Sequence, residues 1–338
     1  MAKYEVRRTP SQAFGSSNPL IFTIDPVQNG KCTQLDVVLQ GTVTISGSTA
    51  SGVVVGEGGP ANLLKSLKIK LNAATGRYPS GHCVDVTARG VFRPSILKIK
   101  KLLIDQNGST LGNGVNGTYA IYVSYPIYFT HPRSSSLSTA LNIDPMAYRS
   151  IVVKVYEGLL TDCFAGNNGT LTSNLNVWVR TKVHRTPGDS FVKFIEDHQA
   201  SIPATKTDFV DQGMPSGGNF LRWLLLTETT AENALTDEIL NYAHVYGAGV
   251  AFENQTAADL RDMLYRDNHV DLSQSVTGMY LFDFCDGDPT NAVPAQSIRA
   301  KFDVNLLTTS YNDNLHFVTE RIYVPQNFNA TQMAEYGS

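Results

Sequence analysis

A chain of 338 residues is too long for one small domain, and its 17% charged and 42% apolar residues, with 27 glycines and 15 prolines, describe a folded, turn-rich protein rather than a disordered one. Lysine and arginine number 27 against 30 acidic residues, a net charge of −3, which leaves no polycationic character for coating nucleic acid. The four cysteines, Cys32, Cys83, Cys163 and Cys285, contain no CxxC pair, which argues against a structural zinc site and a dithiol redox motif, and free, semi-buried thiols in a reducing cytoplasm are expected.

The N-terminal "MAKYEVRRTPSQAFG" carries Lys3, Arg7 and Arg8 but no apolar core of a signal peptide, and no later run is long enough to span a bilayer as a helix. In "LDVVLQGTVTIS", Leu35, Val37, Leu39, Val43 and Ile45 alternate with Asp36, Gln40, Thr42, Thr44 and Ser46, the period of a strand with one wet face. "LKIKLNA" repeats the alternation. "YAIYVSYPIYF" is rich in aromatic and β-branched residues, with Pro126 expected at an edge or bulge. "YRSIVVKVYEG" and "LNVWVRTKVHR" are two further alternating strands, while "PSILKIKKLLIDQNG" fits a strand or a short helical turn. Pro187 and Gly188 break the pattern, which is expected to stay irregular through "ASIPATKTDFVDQGMPSGGN", and the domain boundary is placed near Pro187. Strands resume in "FLRWLLLTE", "EILNYAHVYGAGVAFE", "GMYLFDF", "SIRAKFDVNLL" and "LHFVTERIYVP".

Each half closes with the same sequence of an aromatic-rich strand followed by two alternating strands, a sign of internal duplication. Many short strands separated by Gly, Pro, Asn and Asp predict an all-β protein of two sandwiches or jelly rolls. The exception is "NQTAADLRDMLYRDN". Thr256 is its N-cap, Asp259 faces the first amides, and Leu260, Met263 and Leu264 form an apolar stripe with Arg261, Asp262 and Arg266 outside. So short a helix needs a sheet beneath it, which predicts a lid on the second sandwich.

Chemistry is sparse. There is no GxSxG, no HExxH, no Walker-type lysine loop and no GxGxxG between a strand and a helix. The seven histidines are dispersed, and adjacent His82 and Cys83 point to opposite faces of a strand. Asp283, Asp286 and Asp288 in "DFCDGDP" are a weak candidate cluster for a hard cation, against a solvated turn as the plainer reading. No cofactor and no catalytic residue are predicted, and Lys3, Arg7 and Arg8, too sparse for nucleic-acid specificity, are candidates for a weak contact with anionic lipid or nucleic acid.

In the second half, "GVAFENQTAADLRDMLYRDN", "GMYLFDFCDGD", "SIRAKFDVNLL" and "HFVTERIYVP" follow one another in an order that resembles the second barrel of double jelly-roll major capsid proteins of icosahedral bacteriophages with an internal membrane, of corticovirus type or of a lipid-containing flavobacterial phage. "LLKSLKIKLN" resembles an early strand of the first barrel, and the likeness in element order covers most of residues 30–326. It implies an N-terminal arm over 1–29, a first jelly roll over 30–186, and a second over 187–338 with a short helix and a C-terminal tail. It further implies a non-enzymatic coat protein whose homotrimers form pseudo-hexagonal capsomers around an internal lipid membrane and viral DNA. Such a protein is assembled in the host bacterial cytoplasm and partnered by penton, vertex and minor capsid proteins, with no sequence-specific nucleic acid contact. "QNGSTLGNGVNG" and "LLTDCFAGNNGTLTSN" are then expected as outer loops. The competing class is a carbohydrate-binding, lectin-like β-sandwich, with Trp178 and Trp223 stacking on sugar.

Overall fold

The computed structural model describes residues 4–24, 30–47, 54–55, 62–73, 81–87, 116–129, 143, 147–166, 169–184, 192–211, 213–229, 234–247, 249–268, 278–285, 291–307 and 312–323. The backbone divides into two compact units, one running through Val192 and the other taking in Lys193–Val324. Pro187, near which the sequence pattern breaks, lies outside the described residues.

The first unit contains β1 (Tyr4–Arg8), β2 (Gln12–Ala13), β3 (Leu20–Ile24), β4 (Lys31–Ser46), β5 (Val54–Val55), β6 (Leu64–Ala73) and β7 (Gly81–Thr87). It continues with β8 (Gly117–Tyr128), β9 (Tyr148–Glu157), β10 (Phe164–Gly166) and β11 (Thr170–His184). One sheet runs β1-β11-β4-β8 and another β3-β9-β6-β7, every pair antiparallel. Pro126 sits on β8, which ends its sheet, where a missing N–H costs no ladder bond. Residues assigned from sequence to an arm instead supply three strands. β1 pairs with β11 from Tyr4↔His184 to Arg8↔Arg180, so its peptide groups find partners that a free arm would leave to water.

β4 shows why period-two reading works over only part of a long strand. From Gln40 onward the alternation holds, but Asp36 and Val38 are buried as fully as Leu35, Val37 and Leu39. Asp36 tolerates this because Arg180 Nε (2.8 Å) and Gln34 Nε2 (2.6 Å) donate to its carboxylate.

The second unit contains β12 (Val192–Ile202), β13 (Lys206–Phe209), β14 (Asn219–Thr229), β15 (Ala234–Leu235), β16 (Leu240–Gly247), β17 (Val250–Thr256), α1 (Ala257–Asn268), β18 (Met279–Asp283), β19 (Val293–Pro294), β20 (Arg299–Val304) and β21 (Asp313–Tyr323). Its principal sheets run β12-β21-β14-β18 and β13-β20-β16-β17. The stretch expected to be irregular therefore carries β12 over its first residues, and β13 further on. The charges of β12 obscured its period, because they are matched by residues more than 100 positions away.

Among the described residues, and setting aside the two- and three-residue strands β2, β5, β10, β15 and β19, each unit has eight strands. Numbered within its own unit, each is arranged 1-8-3-6 in one sheet and 2-7-4-5 in the other. That is the jelly-roll order, and the chain carries it twice. The closing strands that look alike in sequence, β8, β9 and β11 against β18, β20 and β21, hold places 6, 7 and 8 in both rolls.

Both sheets of the second roll feed one core. Trp223 lies at its centre, with ring centroids of Phe220 at 5.0 Å, Phe284 at 4.8 Å, Phe282 at 6.2 Å and Phe317 at 6.3 Å, three of them edge-to-face at 75° or steeper. A register shift between Phe220 and Arg222 lets both Phe220 and Trp223 face that core, although three positions apart on a strand they belong to opposite faces. α1 packs on β16 and β17 of one sheet and on β18 of the other, the position of a lid, with Leu260 fully buried in the core.

Candidate functional site

The N-terminal cations are placed by β1. Arg7 Nε donates to Glu5 Oε1 at 2.7 Å with both side chains partly exposed, and the Arg8 guanidinium lies 3.9 Å above the Trp178 ring. Each arginine thus has a partner within the roll. Lys3 lies outside the described residues.

Asp283 ends β18, where its Oδ1 accepts from Cys285 N at 3.1 Å and from Cys285 Sγ at 3.5 Å, a side chain closing its own turn. Asp286 and Asp288 lie outside the described residues. Among the described residues, no group of three or more His, Cys, Asp or Glu side chains is gathered as a metal site.

Arg261, expected outside on α1, is instead only partly exposed and bonds Asp237. The same carboxylate accepts from Gly278 N (2.7 Å) and from the Tyr280 hydroxyl (2.8 Å), so one aspartate ties α1 to the turn before β18 and to β18 itself. The interaction spans 24 residues, and no helical spacing announces it.

A second group not foreseen is a line of buried charges on β12, β14 and β21. Lys193 Nζ approaches Glu320 Oε2 at 2.5 Å and Arg222 Nη2 donates to Glu320 Oε1 at 2.7 Å, with all three side chains at most 4% exposed. Burial opposes the Arg222 charge, but the adjoining Glu320 carboxylate more than offsets it and holds the guanidinium protonated above its ordinary range. Along the same strands, Arg321 bonds Glu196 and His316 Nε2 lies 3.0 Å from Asp197 Oδ2. The available sequence signal was a single Arg222 inside the apolar run "FLRWLLL". A cation there must be matched from another strand.

Nothing in this set is a nucleophile with a base. All four cysteines are buried, and burial pushes the Cys32 and Cys163 thiols up to about 12, far from the thiolate form. The tryptophans are not presented to a sugar either, since Trp178 is 7% and Trp223 2% exposed. The surface offers apolar contact points instead. Val6, Ile21 and Leu159 stand out on the first roll, and Val210, Tyr242 and Tyr246 on the second.

The chain matches no family model and no curated protein. Solved structures do match along nearly its whole length. The STIV MCP has a TM-score of 0.70 at 12% identity, covering 96% of this chain and 97% of that one. The major capsid protein P2 from Bacteriophage PM2 has a TM-score of 0.56 at 11% identity, covering 96% and 100%. The PBCV-1 virus capsid has a TM-score of 0.60 at 11% identity, covering 94% and 93%. These are double jelly-roll major capsid proteins, and the fold of this chain is the double jelly roll.

Proposed function

We propose that this chain is a major capsid protein, a structural rather than an enzymatic component of a virion. The observation that carries the reading is that two rolls of identical strand order are joined in one chain whose full length matches capsid proteins. Three such chains around an axis present six similar barrels and so an outline close to hexagonal, which allows capsomers to tile a closed shell. The exposed apolar side chains on both rolls supply contact points for obligate interfaces, which typically bury more than about 2,000 Å². The shell is assigned to an icosahedral phage with an internal lipid membrane enclosing its DNA, assembled in the bacterial cytoplasm, with separate vertex and minor proteins at positions the capsomer does not fill.

Lys3, Arg7 and Arg8 are assigned to the membrane side. Glu5 and Trp178 engage two of them, so the attraction to anionic headgroups is modest, at most about 1 kcal/mol per cation. Flotation with vesicles containing phosphatidylglycerol tests this: replacing all three by Gln is expected to reduce co-flotation, and unchanged flotation refutes the assignment.

The test of the main reading is the mass of the full chain by light scattering after size exclusion, with electron microscopy of the same fraction. A particle of about 111 kDa, three times 36.9 kDa, with a hexagonal outline is expected. A monomer that persists at high concentration overturns it.

A further inference from the structure

The second roll contains a cavity of about 430 Å³, within the range of roughly 300–1,000 Å³ typical of small-molecule sites. Its wall is made by the loop before β14, the start of β14, the end of β16 and the segment leading into β20. The buried part of that wall is apolar, formed by Phe220, Trp223 and Ile298. Two buried polar atoms interrupt it, Asp211 Oδ2, which faces His198 Nε2, and Trp223 Nε1, a donor with no hydrogen-bond partner. An unpaired buried donor is unfavourable, and an acceptor in the adjoining space removes that cost.

The exposed part of the wall is cationic. Arg299 and Lys301 line it on β20, with Arg299 held in place by two donations, to Gln296 O at 2.7 Å and Ile298 O at 2.9 Å. Two carboxylates lie nearby. Asp211, also on the wall, has Oδ2 2.7 Å from His198 Nε2, and Asp208 approaches Lys301 Nζ at 3.3 Å on the open surface. With Asp208 on Lys301 and Asp211 beside His198, Arg299 is the wall cation that no carboxylate among the described residues engages, which favours an anionic guest.

We propose that this cavity binds a small carboxylate with an apolar body, of the medium-chain acyl or aryl class. The body covers Phe220, Trp223 and Ile298. The carboxylate supplies the acceptor that the indole lacks and faces Arg299 and Lys301. The site lies within the second roll, and a failure to bind in the unassembled chain leaves the capsid reading untouched.

The chain has two tryptophans, so Trp178→Phe makes Trp223 the sole indole and its emission the reporter. Titration of that full-length variant with octanoate is expected to give a saturable change. Octanol is expected to bind at least tenfold more weakly, and octylammonium to leave the emission unchanged. Ala300→Phe, on the cavity wall, is expected to abolish the response. Should that variant not fold, Arg299→Gln with Lys301→Gln, both on the partly exposed wall, is expected to weaken octanoate at least tenfold while leaving octanol unchanged. The absence of saturation with octanoate, an equal response to octylammonium, or a response retained in folded Ala300→Phe overturns the proposal.

Discussion

Glu157 closes β9 with its side chain turned inward, and Oε2 accepts from Gly15 N at 2.9 Å while its own backbone exchanges bonds with Asn18. Burial raises its pKa above the ordinary glutamate value, and the Gly15 amide reverses only part of that shift. A carboxyl raised on folding binds its proton more tightly in the native state. Its contribution is therefore fully present below the unfolded pKa and is lost as pH rises through the folded one. Glu157→Gln keeps an oxygen for Gly15 and removes the titration. Urea midpoints from about pH 4 to pH 7 are expected to fall less steeply in the variant than in the parent, and parallel slopes contradict the argument. At Glu320 a similar change has the opposite consequence. Glu320→Gln removes the carboxylate that Lys193 and Arg222 share in a buried setting, and a loss of about 3–5 kcal/mol is expected in denaturant unfolding.

Among the elements, α1 was the most legible and also the least complete in sequence. Its start follows from local chemistry: Asp259 N donates to Thr256 Oγ1 at 3.1 Å and Thr256 N returns a bond to Asp259 Oδ2 at 3.0 Å. Thr256→Ala is expected to cost about 1 kcal/mol, with faster amide exchange confined to the first turn. Asp237→Ala, by contrast, cuts bonds to Arg261, Gly278 and Tyr280 at once, and is expected to raise exchange along α1 and β18 together. Exchange confined to the first turn in both variants argues against the tie.

The contrast marks what a one-dimensional pattern contains. Capping and alternation are written within a few residues, so β6, β9, β11 and β20 could be read directly, as could the resemblance between the closing strands of the two rolls. Lys193 and Glu196 on β12 look like a solvated stretch because their partners Glu320 and Arg321 lie 125 or more positions away. The candidate sites were less legible still. Asp283 is spent on its own turn, Arg7 and Arg8 are engaged by neighbours, and the cavity beside Trp223 is assembled from three separate segments.

For the whole molecule, the capsomer reading couples folding to association. If the native species is a trimer, its thermal midpoint rises with protein concentration, because mass action favours the associated state. A measurable upward shift over a hundredfold concentration range is expected in scanning calorimetry, and a midpoint independent of concentration points to a self-sufficient monomer.

Two rolls fused in one polypeptide also impose a rule of parity. Any ring built from whole copies contains an even number of barrels, so three copies imitate sixfold symmetry but no number of copies makes a ring of five. A closed icosahedron has twelve points where five equivalent positions meet. On the capsid reading proposed above, a shell tiled by trimers of this chain has twelve points that a six-barrel unit does not match, and filling them is assigned to a separate polypeptide of fivefold form.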